Sequence, residues 1–276
     1  MVALLLPVAS SSAAAKISPS SPCGATVASS PSHVVWIMLE NEGYSVIGSP
    51  QAPYLNSMAK SCGLATNDDA TSHPSLPNYI ALTSGSAQGI SDDAEPSSHP
   101  LNVPSIFSQL KSNWRAYAES MPSACDRVTS GTYAARHNPA VYYTNLPSCR
   151  HNDVALTKPL NLSAAFTMIT PNICSDMHNC PVSSGDAWLK KFVPQILASP
   201  QYRTGSLALF ITFDENTQSS TNQIPTIVVA PSVPRGLHVG THFTHYSLLK
   251  TTETLLHLPY LGGARSASSM IQPFHL

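Results

Sequence analysis

Two mainly apolar runs, His33–Leu39 and Leu207–Phe213, dominate the hydrophobic pattern of the chain. Both are rich in β-branched and aromatic residues and contain neither glycine nor proline, which is typical of strands buried on both faces. Residues 226–230 form a shorter run of the same kind. Strands of this type predict an α/β fold with a central, mostly parallel sheet.

The rest of the pattern predicts shorter elements separated by many turns. Further strands are expected at 64–67 and Trp114–Ala118, and helices at 52–60, 103–112, 186–198 and 247–256. The segment 119–165 is expected to be a long, loop-rich connection. With 24 prolines and 13 glycines, the chain favours ordered loops, and such loops often carry functional residues.

A strand-to-helix turn follows Thr71. Pro77 suits the first turn of a helix and Gly85 supplies a C-terminal stop, so Ser75 lies beside the helix N-terminus. Unpaired backbone N–H groups at that end bind phosphate and stabilise a serine alkoxide, which makes Ser75 a candidate nucleophile. A capping role for Ser75 is the alternative. Thr71 or Ser72 would supply the attacking hydroxyl if the turn were one residue longer.

Polar pairs end the two longest apolar runs. Glu40 and Asn41 follow the first run, and Asp214 and Glu215 follow the second. Polar side chains at the carboxyl ends of strands line the crevice in which open α/β sheets bind ligands. Carboxylate and amide oxygens, with the Ser75 hydroxyl as a fifth ligand, suit one hard divalent ion such as Mg²⁺, Ca²⁺ or Mn²⁺, and less obviously iron or zinc. A single acidic pair would be typical of a solvated turn, whereas two pairs and a helix-terminal serine favour a metal site.

Charged residues are sparse, with Lys and Arg numbering 14 and Asp and Glu numbering 15. This balance lacks the basic footprint of a nucleic-acid-binding protein and favours small-molecule or lipid-headgroup chemistry. At 276 residues the chain can bury a sizeable core, and a single domain at 33–276 is expected. Beyond the N-terminus no apolar run reaches the ~20 residues needed to span a bilayer, so no transmembrane segment is predicted. Nothing in the pattern specifies an oligomeric state.

The N-terminal residues have the character of an export signal. An apolar stretch followed by small residues predicts a signal peptide at 1–15, although a basic start is missing, and residues 16–32 form an extended Ser/Pro-rich lead-in. Six cysteines favour the same secreted or periplasmic location, with free buried thiols in a cytosolic protein as the alternative. Locality favours the pairs Cys174 with Cys180 and Cys125 with Cys149, which leaves Cys23 and Cys62.

Several ordered motifs give the chain a resemblance to a known family. They are the segment 34–41, the turn at 71–79, His137-Asn138-Pro139, the segment 170–178, Phe213-Asp214-Glu215 and the segment 244–249. Across residues 33 to about 260 the chain resembles the bacterial acid phosphatase and phospholipase C family of phosphoesterases, within the alkaline phosphatase superfamily. The resemblance implies a three-layer α/β sandwich with an alkaline-phosphatase-like central sheet.

The resemblance also implies roles for individual residues. It makes Ser75 the nucleophile, and it makes Glu40, Asn41, Ser75, Asp214 and Glu215 the metal ligands. His137 and His178 would lie near the phosphate, where an imidazolium neutralises phosphoryl oxygens or protonates the leaving alkoxide. Asp176 would orient His178 or cap a short disulfide loop. Asn78 would stabilise the phosphate or cap the helix.

Together these features predict a secreted, metal-dependent acid phosphatase that hydrolyses phosphate monoesters through a phosphoserine. The chain is short compared with phospholipase C relatives, which favours a phosphatase, and similarity to compact secreted members makes phosphoinositides a reasonable substrate. A phospholipase C-type phosphodiesterase is the first alternative. A secreted, calcium-stabilised binding module without catalysis is the alternative of another class. A serine esterase would lack its Gly-x-Ser-x-Gly motif here.

Overall fold

Strand β1, His33–Leu39, lies in the middle of a nine-stranded sheet, and its residues from Val34 onward are fully buried. The computed structural model describes residues 22–25, 30–156, 159–217 and 221–276. The predicted signal peptide at 1–15 and most of the lead-in at 16–32 lie outside the described residues.

The elements that follow β1 alternate between strands and helices. The strands are β2 Gly63–Asp69, β3 Trp114–Ala118, β4 Asp153–Ala155, β5 Phe166–Thr170, β6 Leu207–Phe213, β7 Gln223–Val229, β8 Leu237–Val239 and β9 Phe243–Thr244. The helices are α1 Pro53–Ser61, α2 Ser75–Ser84, α3 Ile106–Leu110, α4 Cys149–Asn152, α5 Val182–Leu197, α6 Pro200–Arg203, α7 His245–Leu255 and α8 Ile271–Phe274. Short 3₁₀ turns occupy Tyr44–Val46, Ala135–His137, Pro139–Tyr142 and Gly262–Arg265. Within the described residues, no helix is both long and apolar enough to cross a bilayer.

Most strands of the sheet run in one direction. Their order is β4-β3-β5-β1-β6-β7-β2-β8, with β9 also paired to β2. Among the described strands, β7 alone is antiparallel to its neighbours, β6 and β2. The predicted α/β fold with a mostly parallel central sheet is therefore confirmed, and the other strands share one carboxyl edge.

The pairing of β1 brings three loops together at that edge. In-register pairing of β1 with β6 places Leu39 beside Phe213, and the N–H of Asp214 donates to the carbonyl of Leu39 at 3.0 Å. On its other side β1 pairs with β5, and the N–H of Glu40 donates to the carbonyl of Asp176 at 2.9 Å. The segments that follow β1, β5 and β6 therefore converge around Glu40.

Helices cover the sheet in two groups, as a three-layer sandwich requires. Helix α2 packs against α7, which contacts β1, whereas α1 packs against α5. Asp186 of α5 joins the second group, because its carboxylate accepts the N–H groups of Tyr54 at 3.0 Å and Leu55 at 2.8 Å at the start of α1. An acidic side chain at a helix N-terminus also interacts favourably with the helix dipole.

Helix α2 begins at Ser75 and is buried along its whole length. Gly85 ends the helix in the left-handed conformation with φ 76°, so the predicted glycine stop is confirmed. The carbonyl of Gly85 accepts the N–H of Gly263 at 2.8 Å. The segment that follows α7 therefore holds the far end of the helix that carries Ser75.

Several short elements differ from the sequence prediction, including α4 and β4 within the expected loop 119–165, and a strand and a helix show why. Strand β5 lies beside β1, yet the pattern gave no strand there, because its five residues include two threonines and form only a short mixed run. All five are buried because helices cover both faces of the sheet. The helix expected at 103–112 shortens to α3, because Ser105 forms a capping box with Ser108 and Lys111 leaves the helix at φ 59°.

Three disulfides tie the loops to this framework. They join Cys23 to Cys62, Cys125 to Cys149, and Cys174 to Cys180. This pairing is the one that locality favours in the sequence. The third disulfide closes the short loop that carries Asp176 and His178, which lies directly after β5.

Substitution of Gly85 by alanine is expected to destabilise the fold more than the same change at Gly89. Both glycines have positive φ, 76° and 79°, so each alanine carries a conformational cost of about 1–2 kcal/mol. A Cβ at Gly85 would also lie 2.4 Å from the carbonyl oxygen of Leu261, whereas nothing lies within 4 Å of one at Gly89. Urea denaturation of both variants measures the difference, and equal losses would contradict the proposed anchoring of α2.

Candidate active site

The turn before α2 is closed by the side chain of Asn78, which is fully buried. Its Oδ1 accepts the N–H groups of Thr71 at 3.1 Å and Ser72 at 2.9 Å. Its Nδ2 donates to the carbonyls of Ser72 at 2.9 Å and Pro74 at 3.2 Å. Both N–H groups of the amide are therefore used within the turn. Asn78 therefore holds the turn that precedes Ser75, and its predicted contact with the phosphate stays a prediction.

Ser75 points its hydroxyl at two buried carboxylates. Its Oγ lies 3.1 Å from Glu40 Oε2 and 3.3 Å from Glu215 Oε1, and the residue is 2% exposed. The two alternative hydroxyls face elsewhere, since Thr71 donates to Asn78 Oδ1 and Ser72 donates to the carbonyl of His73. Only Ser75 among these three has its hydroxyl in contact with the acidic residues.

The five candidate metal ligands lie together at the carboxyl edge of the sheet. Asn41 joins the two strand ends, because its N–H donates to Asp214 Oδ1 and its Nδ2 to Glu215 Oε1, each at 3.3 Å. Asn41 adopts φ 46°, a left-handed conformation that asparagine tolerates better than most residues. This bend directs its amide back toward Glu215. The sequence-predicted ligands Glu40, Asn41, Ser75, Asp214 and Glu215 therefore share one site.

The carboxylates of this site hold their protons unusually tightly. Burial, with the neighbouring charge of Glu215, raises the pKa of Asp214 to about 8, against 3.8 ordinarily. Burial raises the pKa of Glu215 to about 7. Burial also raises the pKa of Glu40 well above its usual value, and the charges of Asp214 and Asp176 add to the effect. Each shift measures how strongly the site disfavours bare negative charge.

A divalent cation fits these residues chemically. Within the described residues, the buried Oδ1 of Asn41 and Oδ2 of Asp214 have no hydrogen-bond partner. Unpaired buried oxygens carry a desolvation cost that a bound cation removes. Oxygen donors are the ligands that hard divalent ions prefer. Glu40 also belongs to a second group, with His137 and Asp176, in which one donor atom of each residue lies within 4.8 Å of the others.

His137 lies beneath the site, between two acids. Its Nε2 is 3.5 Å from Glu40 Oε2 and its Nδ1 is 3.2 Å from Asp176 Oδ2. Its ring stacks on that of Tyr79 with centroids 5.6 Å apart. Burial lowers the pKa of His137 well below its usual value, and the charge of Arg136 lowers it further. His137 therefore contacts Glu40 inside the site, and its predicted contact with the phosphate stays a prediction.

His178 lies nearer the surface and differs from its predicted setting. Its Nδ1 lies 2.6 Å from Asn179 Oδ1, and its Nε2 lies 3.4 Å from Arg136 Nη2. Asp176 accepts the backbone N–H of His178 at 2.8 Å, while its other oxygen faces His137. Of the two predicted roles of Asp176, the contact with the backbone N–H of His178 fits capping of the disulfide loop, and the ring that Asp176 faces is that of His137.

Three further residues contact the acidic cluster, although they are not among the site residues predicted from the sequence. Tyr79 donates its hydroxyl to Glu40 Oε1, and His73 pairs through Nδ1 with Glu215 Oε2. His245, at the start of α7, lies 2.5 Å through Nε2 from the carbonyl oxygen of Asp214. A helical spacing of four from Ser75 could have indicated Tyr79, since such residues share a helix face. His73 lies within the recognised turn, whereas His245 is placed only by the packing of α7.

Comparisons with known proteins identify the family to which the chain belongs. The chain matches the Phosphoesterase family across residues 36–259. It is 33% identical over 243 residues to the phosphatidylinositol-3-phosphatase of Mycobacterium tuberculosis, and the match covers 85% of this chain and 80% of that protein. It is 29% identical to a probable acid phosphatase of Kluyveromyces lactis and 27% identical to an acid phosphatase of Aspergillus fumigatus. The matches cover 82% and 91% of this chain, but only 58% and 60% of these two fungal relatives.

Solved structures share the fold at low sequence identity. A protein of the alkaline phosphatase superfamily from Vibrio parahaemolyticus aligns with a TM-score of 0.57 at 11% identity, covering 83% of this chain and 67% of that one. The lipoteichoic acid synthase LtaP from Listeria monocytogenes aligns with a TM-score of 0.59 at 12% identity, covering 87% and 76%. These likenesses support the alkaline-phosphatase-like architecture. With the family match across most of its length, the chain belongs to the Phosphoesterase family and is a phosphate-ester hydrolase.

Proposed function

We propose that this protein is a secreted, metal-dependent acid phosphatase that hydrolyses phosphate monoesters through a phosphoserine on Ser75. The observation that carries the proposal is the position of the Ser75 hydroxyl, at the first turn of α2 and in contact with Glu40 and Glu215. A helix N-terminus favours an anionic group, and the carboxylates face the hydroxyl from the other side. Residues 33–276 are proposed to form one catalytic domain.

One divalent ion would be held by Glu40, Asn41, Ser75, Asp214 and Glu215. When bound, such an ion lowers the pKa of the serine hydroxyl and offsets negative charge on the phosphoryl oxygens. The donor set is compatible with the hard ions Mg²⁺, Ca²⁺ and Mn²⁺ and leaves iron and zinc as further candidates.

The residues of the chain have separate tasks in this reaction. Glu40 accepts the hydrogen bond of Ser75 and orients its oxygen, while Tyr79 and His137 hold Glu40 in place. Ser75 passes its hydroxyl proton to Glu40, and its Oγ forms a bond to phosphorus as the bond between phosphorus and the ester oxygen breaks. His178 is the proposed donor of a proton to that oxygen, because it is only half-buried whereas His137 is 1% exposed. In the second step water attacks phosphorus and gives a proton to His178, the bond between phosphorus and Ser75 Oγ breaks, and Glu40 returns a proton to Ser75 Oγ.

A monoester is the proposed substrate class. The curated relatives bear the names of phosphatases, and one is a phosphatidylinositol-3-phosphatase. These names support a phosphatase over the phospholipase C alternative, and they make a phosphoinositide headgroup the proposed natural substrate. Location outside the cytoplasm is supported by the three disulfides, because such bonds persist in oxidising compartments.

Replacement of Ser75 by alanine is expected to abolish turnover while leaving the fold intact. The attacking oxygen is lost, so kcat for p-nitrophenyl phosphate should fall by about 10³-fold or more. Ser72→Ala is the matched control, because the Ser72 hydroxyl donates to the carbonyl of His73 and contacts no carboxylate among the described residues. That variant should keep near wild-type turnover. A Ser75→Ala enzyme with wild-type turnover, or an inactive Ser72→Ala enzyme of normal stability, would overturn the assignment of the nucleophile.

Without its metal, the protein is expected to lose stability as the pH rises from about 4 to about 8. The pKa values of Asp214 and Glu215 are raised to about 8 and about 7 in the folded state, against 3.8 and 4.5 ordinarily. Asp214 and Glu215 therefore bind protons more tightly in the folded protein than in the unfolded chain, and their stabilising contribution is lost as they ionise. Melting temperatures after EDTA treatment, measured across this range, test the expectation.

Added divalent ions should reverse the loss, and more strongly at pH 8 than at pH 5, because ionised carboxylates bind the cation. They should also restore activity. The double variant Asp214→Asn, Glu215→Gln should show a shallower pH profile and no response to metal. An equal response to metal in that variant would place the ion elsewhere.

A further inference from the structure

Ser75 is one member of a closed chain of contacts at the head of α2, which we call the site ring. Its members are Ser75, Glu40, His137, His178, Arg136, Asp93 and the backbone N–H of Leu76. The proposed function uses the first four of these residues. Arg136 and Asp93 complete the ring without a role in metal binding or in the attack by Ser75.

The unassigned half of the ring runs from His178 back to α2. The rings of His137 and His178 lie 5.6 Å apart, and Arg136 Nη2 lies 3.4 Å from His178 Nε2. Arg136 Nε lies 3.9 Å from Asp93 Oδ2, and Asp93 Oδ1 accepts the N–H of Leu76 at 2.9 Å. Asp93 therefore connects Arg136 to the residue that follows the proposed nucleophile.

Arg136 has hydrogen-bonding capacity left over at this position. Its buried Nε–H has no hydrogen-bond partner within the part of the chain that the structure describes, since 3.9 Å to Asp93 is too long for a hydrogen bond. The side chain is 23% exposed, so it is held in place and still reaches solvent. A guanidinium offers a planar fork of donors that matches two oxygens of a phosphoryl group.

Charge within the ring is divided between two sides. Glu40 and its neighbours Asp214 and Glu215 are the acidic side, where the metal is proposed to bind. Arg136 is the cation on the opposite side, beside His178. A phosphoryl group at Ser75 would lie between the two sides. A guanidinium stays protonated in proteins, so Arg136 is the permanent positive charge that the ring supplies.

We propose that Arg136, positioned by Asp93, binds the non-bridging phosphoryl oxygens and makes the site prefer phosphate monoesters over diesters. The inference rests on the proposed function, because it takes Ser75 as the attacking group. A monoester presents one more anionic oxygen than a diester, in which an alkoxy group occupies that place. A guanidinium fork therefore stabilises the monoester more. Asp93 acts through Arg136 and is a positioning residue.

Kinetics of Arg136→Gln and Arg136→Lys with p-nitrophenyl phosphate and bis(p-nitrophenyl) phosphate test the proposal. The glutamine variant should lose about 10²–10³-fold in kcat/KM for the monoester, the scale of removing one preorganised donor at a transition state. Its loss for the diester should stay below about tenfold, because fewer anionic oxygens face Arg136. The lysine variant keeps the charge without the fork and should be intermediate. The inhibition constant of inorganic phosphate should rise in the glutamine variant, by a factor similar to the fall in kcat/KM for the monoester.

Matched substitutions separate this role from a structural one. Arg150→Gln removes an exposed arginine outside the ring, and Asp92→Asn removes the carboxylate beside Asp93. Both should leave the ratio of monoester to diester kcat/KM unchanged. Asp93→Asn keeps an acceptor for the N–H of Leu76 but weakens the pairing with Arg136. With the monoester substrate, this variant should raise KM more than it lowers kcat. The inhibition constant of inorganic phosphate should rise together with KM.

The outcomes distinguish the inference from the function on which it rests. If Ser75→Ala is inactive but Arg136→Gln lowers monoester and diester turnover equally, with unchanged inhibition by phosphate, the inference is wrong and the proposed function stands. If the wild-type protein hydrolyses no monoester, or Ser75→Ala keeps full activity, the proposed function itself fails. If Arg136→Gln melts at a temperature well below that of the wild type, the test uses the folded Arg136→Lys variant. An unchanged ratio of monoester to diester kcat/KM in that variant overturns the inference.

Discussion

The parallel pairing of β1 with β6 is the constraint on which the site depends. It sets Leu39 beside Phe213, so Glu40 and Asp214 emerge from adjacent strand ends although 173 residues separate Asn41 from Asp214 along the chain. A slip of either strand by one residue would move its side chains to the opposite face of the sheet, where they would meet the wrong helix layer. The hydrophobic register of the core therefore also fixes the spacing of the acidic residues.

That geometry concentrates negative charge where water is excluded. Glu40, Asp214 and Glu215 are each at most 1% exposed, and burial raises the pKa of all three. Such a cluster opposes folding unless protons or a cation neutralise it. The strong packing of β1 and the whole burial of α2 offset this cost. The buried acidic cluster therefore lowers the free energy of unfolding at the place where a cation and a phosphate are proposed to bind.

Sequence patterns located the elements that are regular and missed those that depend on neighbours. The bounds of β1, β3 and β6 are confirmed, because long apolar runs report burial directly. Strand β5 escaped detection, since its two threonines are buried only through the layers that cover the sheet. The helix predicted at 103–112 is longer than the observed α3, because the capping box at Ser105 starts the helix later than the apolar spacing indicates.

The sequence by itself determined which residue types end the strands and where α2 begins. It also carries the family resemblance that predicts Ser75 as the nucleophile. Tertiary structure decided which groups meet. In the folded chain Asp176 faces His137, and the side chain of Asn78 makes its hydrogen bonds within the turn before α2. Arg136 and Asp93 lie together at the N-terminal end of α2. The physical reason is that a parallel sheet orders its strands differently from the chain. Contacts at its edge therefore join residues that no local pattern connects.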